Sequence, residues 1–363
     1  MRIGMTFNVR AESRVANPPG ASGRQSDHED RGHESRYAQW ADDDEEFDAP
    51  ETVQALAAVL EGLGHEVDLL GEGEPMLRRL LGGDRPDLVL NFAEGSGVGR
   101  SREARVPAVL EMLDIPYTGS DPLTLAVTLD KDCAKRLVAA SGVATPAWAL
   151  FDGDESIVTE ALSRVPLPWI VKPAFEGSSK GILATNLIYD RGGMVETLSE
   201  LYEHYRQPVL IEEFIVGDEL TVGLVGNRPP EILGIMRILP RGAATDEPFI
   251  YSLEVKRDWE HRVRYECPAQ ISAADEAAVR TAALAAWRAL GCRDVSRIDF
   301  RLREGVPYFL ESNPLPGLSP KSGDLVLLAG MLGIEHAELV SRILAAAVER
   351  HESRAGAVGH SGK

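Results

Sequence analysis

The sequence is poor in cysteine, in long apolar runs and in positive charge, and each deficit excludes a class of protein. Its three cysteines, Cys133, Cys267 and Cys292, lie far apart without C-x-x-C spacing, so neither a disulfide framework nor a zinc site is signalled. No stretch approaches the roughly 18 apolar residues of a membrane span. The opening segment MRIGMTFNVR also lacks the apolar core of a signal peptide. We therefore expect a cytoplasmic protein with no membrane partner.

Positive charge is outweighed by negative charge across the chain. The sequence has 38 lysines and arginines against 57 aspartates and glutamates, a formal net charge of -19. Such a balance disfavours a phosphate backbone as the main partner, so we expect no nucleic-acid partner. Any anionic ligand must be held by local groups, against the overall field. At 363 residues with 44% apolar content, the chain is long enough for two or three packed subdomains.

The order of strand-like and helix-like segments predicts an α/β region followed by an α+β region. RIGMTF, the helical pattern APETVQALAAVLEGLG, HEVDLL and PDLVLNF give strand, helix and strands, which favours a parallel sheet. Residues 10–50 read as a long polar loop. From about residue 145 the strands become denser, which favours an antiparallel sheet, with one long Ala-rich helix at 272–290. The residues after about 350 carry no core pattern and are expected to be a frayed tail.

Two strand-like segments end in acids and amides that could hold a hard cation. In VPYFLESNPLPG, residues 306–317, Glu311 and Asn313 are two positions apart, so their side chains share a face of the strand. In RIDFRL, Arg297 and Asp299 have the same spacing. Asp299, Glu311 and Asn313 together predict an oxygen-rich Mg²⁺ site, completed by substrate phosphates.

A lysine within a buried strand and a small-residue loop together suggest an anion site. Lys172 lies in WIVKPA and is followed by EGSSKG, residues 176–181, whose backbone N–H groups could approach a phosphate. An edge-strand lysine and an ordinary Gly/Ser hairpin remain the alternatives. Neither this loop nor GSGVGRS at 95–101 has the spacing of a Walker A motif. In VLIEEFIVGDEL the acids are expected either to bind a ligand or to form a solvated hairpin; these are Glu212, Glu213 and Glu219.

Taken in order, these motifs resemble the D-alanine–D-alanine ligases, a branch of the ATP-grasp superfamily. The resemblance covers roughly residues 86–345 and rests on LEMLDIPYTGSDPLTLAVTLDK, IVKPAFEGSSKGI, VLIEEFIVGDELTV, EVKRDW, SRIDFRL and ESNPLPGLSPKS. It implies an ATP-grasp fold behind an N-terminal parallel α/β domain. The implied units are 1–120, containing the polar loop, then 121–205, 206–352 and a tail at 353–363.

The resemblance also implies residue roles. Lys131, Lys172 and Lys256 would bind ATP phosphates under a closing Ser178–Ser179 loop, with Arg297, Ser178 and Lys256 as the catalytic groups. Glu212 would contact the adenine end of ATP and Glu219 the ribose, and Glu213 is also expected among the cofactor-binding residues. Mg²⁺, with Mn²⁺ as an alternative ion, would be held by Asp299, Glu311 and Asn313.

The chain departs from the family pattern where substrates are chosen. The glutamate that meets the first substrate's amino group would be Glu45 or Glu46, and Glu94 stands in a segment that differs from the family's. Arg257 replaces the usual tyrosine and would favour an acidic substrate, unless it turns to solvent or pairs with an acid nearby in sequence. The substrate set implied by the resemblance is Glu46, Glu94, Arg257, Gly317 and Ser322.

These observations predict an ATP-dependent ligase that joins a carboxylate to an amine through an acyl phosphate. Its substrates would be small and amino-acid-like, with a D-alanine pair and peptidoglycan biosynthesis as the first expectation. A ligase for a different amino acid or carboxylate metabolite is the alternative within this class. A non-catalytic nucleotide-binding module is the alternative outside it. A homodimer is compatible with the family resemblance.

Overall fold

A computed structural model describes residues 1–10, 42, 44–190, 192–242 and 249–360, without side chains from residue 354 onward. The first unit is a three-stranded parallel sheet in the order β2-β1-β3, flanked by helices. Its elements are β1 (Arg2–Thr6), α1 (Pro50–Gly62), β2 (Glu66–Leu69), α2 (Gly73–Leu81), β3 (Leu88–Asn91), a 3₁₀ turn (Arg102–Ala104) and α3 (Arg105–Met112). The predicted parallel α/β domain is confirmed, and Pro50 begins α1, where its missing N–H costs nothing.

Two antiparallel sheets follow. The first has four strands in the order β4-β7-β5-β6. Its region comprises α4 (Pro122–Leu129), α5 (Lys131–Ala140), β4 (Trp148–Phe151), α6 (Ser156–Arg164), β5 (Trp169–Pro173), a 3₁₀ turn (Ala184–Asn186), β6 (Leu187–Ile188), α7 (Met194–Tyr205) and β7 (Val209–Glu213). β7 lies beyond the expected boundary at residue 205 but pairs with β4 and β5, so this sheet extends to Glu213.

The second antiparallel sheet has five strands in the order β10-β9-β8-β11-β12. Its region comprises β8 (Asp218–Gly226), β9 (Glu231–Pro240), α8 (Leu253–Arg257), α9 (Trp259–Arg262), β10 (Val263–Glu266), α10 (Ala273–Leu290), β11 (Asp294–Arg303), β12 (Val306–Asn313), α11 (Asp324–Met331) and α12 (His336–His360). α10 matches the predicted helix: Ser272 caps its first turn, and Gly291, with φ of 75°, ends it in the left-handed conformation.

The apolar cores join units that are distant in sequence. Val138 of α5 packs with α10 and the five-stranded sheet, so the helix that begins at Lys131 is fixed to the C-terminal region. Leu339 and Ile343 of α12 pack against Ile3 and Leu56 of the first unit. Asp130 caps α5 by accepting a hydrogen bond from the Cys133 amide, which fixes the start of the helix. Lys131 is thereby held at a helix end between the sheets.

The C-terminal tail departs from expectation. α12 continues to His360, because Arg350 and His351 anchor it to Tyr117 and each further residue adds one helical bond. The frayed tail expected after about residue 350 is therefore wrong for the backbone up to that point. The predicted polar loop at 10–50 falls mostly outside the described residues. Within the described ranges, no helix is both long and apolar enough to cross a membrane.

Candidate active site

The oxygen-bearing residues predicted at the strand ends come together in the structure. β11 and β12 pair with Asp299 opposite Glu311 and Arg297 opposite Asn313. The Asn313 carboxamide nitrogen lies 3.3 Å from Asp299 Oδ2 and 3.5 Å from Glu311 Oε1. The Thr221 hydroxyl donates to Asp299 Oδ1 at 2.9 Å. Two carboxylates and a carboxamide therefore share one small space, and hard oxygen donors of this kind suit Mg²⁺.

Arg297 compensates the negative charge of this cluster. Its guanidinium lies 2.8 Å from Asp299, 2.7 Å from Asp324 and 3.7 Å from Glu311. Burial raises the pKa of Asp299 to about 6, although Arg297 acts in the opposite direction. Burial would also raise the pKa of Glu311, but Lys131 and other nearby cations outweigh it and hold that pKa at about 2. Glu311 is therefore the acid most firmly kept charged.

The predicted phosphate-binding lysines lie within reach of this cluster. Lys131 Nζ donates to the Glu176 carbonyl and lies 3.5 Å from a Glu311 oxygen. Lys172 Nζ lies 3.2 Å from Glu212 Oε1. Both lysines are buried, with 5% and 6% of their surface exposed. They are thus placed where a bound phosphate could exchange for their present partners.

Sequence reasoning missed a third buried lysine, Lys135. Its Nζ lies 2.6 Å from Glu212 Oε2, so Glu212 is held between Lys135 and Lys172. The Glu212 side chain is 2% exposed, and its carboxylate pairs with both lysines. The role expected at the adenine end therefore stays a prediction. The signal was present in the sequence, because Lys135 follows Lys131 by four residues and shares its helix face.

The small-residue loop bends as an anion-binding loop would. Ser178 and Ser179 both have positive φ, at 50° and 60°, which turns successive N–H groups in similar directions. The Ser179 hydroxyl donates to the Tyr251 carbonyl at 3.0 Å. The Gly177 N–H donates to the Glu46 carboxylate. The loop is thus tied both to the C-terminal region and to the acidic segment before α1.

One cavity lies between the two antiparallel sheets and has the character of a nucleotide site. Its wall combines apolar side chains with the predicted ATP-binding residues. Apolar members include Ile170, Phe214, Ile215, Ile238 and Leu310, and polar members include Lys172, Ser178, Ser179, Glu212, Glu213, Glu219, Lys256 and Asp299. Glu213 and Glu219 each have an arginine partner, Arg303 and Arg301 respectively. An apolar cavity wall beside the lysines predicted to bind phosphate suits a purine nucleotide.

A second cavity lies against the first unit and contains most of the predicted substrate residues. Glu46, Glu94, Gly317 and Ser322 line it. Arg257 lines neither cavity; it pairs with Glu45 at 2.6 Å on a partly exposed surface. The structure thus separates Arg257 from the other four substrate residues and gives its charge a partner distant in sequence. The described geometry gives no support to an acidic substrate selected by Arg257.

Arg102, which sequence reasoning also missed, links the second cavity to the small-residue loop. It is 2% exposed and lies 2.6 Å from Glu46 and 3.4 Å from Glu176. It also donates to the Phe175 carbonyl at 2.6 Å. Lys180 approaches the same two glutamates, at 3.9 Å and 2.7 Å. Two cations and two acids therefore fasten the loop to the first unit.

Three further acids line the second cavity: Asp48, Glu94 and Glu103. Burial raises the pKa of Asp48 to about 6 and that of Glu103 to about 8. Burial and the neighbouring Glu103 charge raise the pKa of Glu94 well above its ordinary value. Burial is the largest cause of all three shifts, so the ionised form of each acid is disfavoured at this wall.

The two cavities meet at five shared residues: Ser178, Lys256, Arg297, Glu311 and Asp324. Burial lowers the pKa of Lys256 at this junction, because the charged ammonium loses its contact with water. A nucleotide in one cavity and a small substrate in the other would therefore touch the same groups. Together with the two antiparallel sheets behind a parallel α/β unit, this arrangement defines an ATP-grasp ligase.

Comparison with known proteins gives the family. Residues 137–345 match the family model described as D-ala D-ala ligase C-terminus. The chain is 35% identical over 292 residues to a D-alanine–D-alanine ligase of Dechloromonas aromatica, covering 80% of this chain and 89% of that protein. It is 34% identical over 306 residues to an uncharacterized protein, y4sG, of Sinorhizobium fredii, covering 82% and 87%. The chain belongs to the D-alanine–D-alanine ligase family and is an ATP-dependent C–N ligase.

Solved structures agree on the fold. The D-alanine–D-alanine ligase of Bacillus anthracis complexed with ATP aligns with a TM-score of 0.69 at 22% identity, covering 98% of this chain and 99% of that one. The VanG D-Ala:D-Ser ligase of Enterococcus faecalis aligns with a TM-score of 0.67 at 19% identity, covering 95% and 99%. The predicted ATP-grasp fold is therefore confirmed.

Proposed function

We propose that this ligase joins the carboxylate of one amino-acid-like substrate to the amino group of another, through an acyl phosphate. The observation that carries the proposal is the junction of the two cavities, where Ser178, Lys256, Arg297 and Glu311 border both. A γ-phosphate entering from one side and a carboxylate from the other would meet there. The names of the relatives make a D-alanine pair the first candidate, and peptidoglycan biosynthesis the corresponding role.

In the first step a substrate carboxylate oxygen attacks the γ-phosphorus of ATP, and the bond from that phosphorus to the β-phosphate oxygen breaks. ADP leaves and an acyl phosphate forms. Lys131, Lys172 and Lys256 would neutralise phosphate oxygens, and the Ser178–Ser179 loop would exclude water. Asp299, Glu311 and Asn313 fit a magnesium ion, or manganese in its place, which when bound would neutralise phosphate charge.

In the second step the uncharged amine of the other substrate attacks the acyl carbon. The carbon–nitrogen bond forms, the carbonyl oxygen becomes an oxyanion, and collapse of this intermediate expels inorganic phosphate. The nitrogen loses its extra proton to solvent or phosphate. Arg297 is the cation best placed to stabilise the oxyanion, because its guanidinium is buried and fixed by Asp299 and Asp324.

The test is an ADP-release screen with pairs of D- and L-amino acids, with products identified by mass spectrometry. Arg297→Met should lower kcat by about 100-fold or more, the typical effect of losing an oxyanion donor. Arg280→Met, which removes an exposed arginine paired within α10, should leave kcat unchanged. Binding of an ATP analogue without ADP release for any pair would favour the non-catalytic module.

Assembly and compartment are part of the same proposal. We place the ligase in the cytoplasm, where ATP and free amino acids are available; Cys133, Cys267 and Cys292 are all free thiols, as a reducing compartment requires. A homodimer is the proposed assembly on family grounds. Light scattering of the purified chain would test it.

A further inference from the structure

The second cavity holds three acids without a cation partner. Asp48 lies just before α1, Glu94 follows β3, and Glu103 lies in the 3₁₀ turn before α3. Within the described ranges none of the three side chains has a hydrogen bond or ion pair. Glu103 is nevertheless only 9% exposed. The wall that the first unit presents to the substrate therefore carries acidic side chains that the described residues leave without a polar partner.

The other acids of this cavity are matched. Glu46 pairs with Arg102, Glu176 with Lys180, Glu311 with Lys131 and Asp324 with Arg297. The described cations that lie nearest the three unmatched acids already contact other groups. They are Arg10, which contacts Phe47 and Glu45; Arg102, which contacts Glu46 and Glu176; and Lys131, which contacts Glu176 and Glu311. Among the described residues no further cation pairs with these acids, so we consider a ligand as the source of positive charge.

The spacing of the three acids argues against a metal ion as that ligand. Three acids that bind one ion bring their oxygens together, and among the described His, Cys, Asp and Glu side chains only Asp130, Asp132 and Cys133 bring three ligand atoms within 4.8 Å of one another. The predicted magnesium site is not of this kind, because it combines two carboxylates with the carboxamide of Asn313. The group around Asp130 is also occupied by the chain's own partners, since Arg100 pairs with Asp130 and Trp148 donates to Asp132. Asp48, Glu94 and Glu103 are spread more widely, as recognition of an extended organic cation requires.

An ammonium group has three N–H donors and no acceptor, which matches a wall of carboxylates. The α-ammonium of a plain amino acid would pair with one of the three acids and leave two carboxyl groups of the wall without a partner, which is costly. A side-chain ammonium, with three N–H donors of its own, could pair with the other two acids. We infer that the substrate bound against this wall is a diamino acid, whose two ammonium groups pair with Asp48, Glu94 and Glu103.

This inference rests on the proposed ligase function and names one of its substrates. The substrate inferred here is basic, whereas Arg257 led us to expect an acidic one. The Arg257 guanidinium already has Glu45 at 2.6 Å, while Asp48, Glu94 and Glu103 have no partner among the described residues. A substrate with an extra carboxylate would add negative charge to a wall that already holds too much of it. A diamino acid of either stereochemistry would reduce it.

The experiment compares substrates matched in size but not in charge. ADP release would be measured with ornithine against citrulline and with lysine against norleucine, each in D and L form, with alanine as the common second substrate. We expect kcat/KM to favour the diamino acid by tenfold or more. If kcat/KM for citrulline equals that for ornithine, or kcat/KM for norleucine equals that for lysine, the inference is overturned. ADP release in the same assay would leave the ligase function standing.

Substitutions of Glu94 and Glu103 test whether these acids cause the preference for a diamino acid. Glu94→Gln and Glu103→Gln should each lower the ornithine-to-citrulline ratio of kcat/KM by about tenfold, whereas Glu61→Gln, an exposed acid on α1, should leave the ratio unchanged. Unchanged ratios in both cavity variants would count against the inference. Thermal unfolding and ATP-analogue binding establish that each variant is folded.

A binding measurement separates this inference from the function on which it rests. Calorimetry of the wild-type protein with a non-hydrolysable ATP analogue would compare ornithine with citrulline directly. If no amino-acid pair supports ADP release, the proposed function fails, and tighter binding of ornithine would still support the charged wall. Equal binding of the two would refute the wall as a recognition site, whatever the assay of turnover shows.

Discussion

Replacing Arg102 by methionine should loosen the small-residue loop from the first unit. Methionine keeps much of the apolar stem but leaves the buried acids Glu46 and Glu176 without their closest shared cation. Breaking a buried ion pair by removing one partner typically costs about 3–5 kcal/mol. Because Lys180 stays 2.7 Å from Glu176 and still compensates part of its charge, we expect a cost of about 3 kcal/mol, the lower limit of that range. That corresponds to an increase of about 100-fold in the opening of the loop.

Native-state hydrogen exchange measures this opening directly. The Lys180 and Ile182 amides donate within the loop at 2.9 Å and 3.0 Å, so their exchange reports whether it is closed. Exchange should accelerate about 100-fold in Arg102→Met. Arg105→Met, three residues away and exposed, should leave it nearly unchanged. Adding Glu46→Gln to Arg102→Met should recover part of the loss, because one uncompensated charge is removed. Unchanged exchange in Arg102→Met would refute the view that this network closes the loop.

Four further predictions address the junction, the lysines, the loop and Arg257. Glu311→Gln and Asp299→Asn should each lower ADP release by about 100-fold at limiting Mg²⁺ while keeping the wild-type unfolding temperature, and wild-type turnover in either would refute the metal assignment. Burial lowers the pKa of Lys135 to about 8, below its unfolded value of 10.5, so the unfolded chain binds more protons between these pH values and stability should rise with pH there. The free energy of unfolding in urea should rise by up to about 3 kcal/mol over this pH range in the wild type. The rise should be absent in Lys135→Met and present in Lys321→Met, an exposed control. A non-hydrolysable ATP analogue should slow proteolysis within 174–181 and 240–262, whereas equal cleavage with and without it would argue against a closing lid. Arg257→Tyr should change the ratio of acidic to neutral substrate use by less than about fivefold, as expected of a partly exposed ion pair, and a larger change would return Arg257 to the substrate site.

The motifs that hold the phosphates and acids were readable from the sequence because their spacing is local. Asp299, Glu311 and Asn313 follow the two-residue period of strands, and their convergence needs only that β11 and β12 pair. Arg102 was missed because its partner Glu46 lies 56 residues away, across a loop whose path the sequence does not specify. The end of the central sheet was misplaced for the same reason, since β7 pairs with β5 across an intervening helix.

Several helices were missed because their ends carry weak signals. α7 begins after Gly193, which has φ of 71° and forms no side-chain capping hydrogen bond, so the usual start signal is absent. α12 extends through a segment without an apolar stripe, and its continuation depends on Arg350 and His351 reaching Tyr117, more than 230 residues earlier. Tertiary anchoring of this kind has no local pattern in the sequence.

The balance of charge differs between the two cavities, and this difference explains how a strongly acidic chain can sort its ligands. In the nucleotide cavity every acid on the described wall has a cation within 4 Å, as Glu212 has Lys172 and Asp299 has Arg297. In the second cavity Glu94 and Glu103 have no such cation among the residues that the structure describes. Buried charges are screened little by salt, so we expect an anionic triphosphate to favour the compensated cavity and the ammonium groups of the proposed substrate to favour the acids of the second cavity. The substrate carboxylate, repelled by the acidic wall, is then directed toward the junction, where Arg297 lies and where the γ-phosphate would arrive.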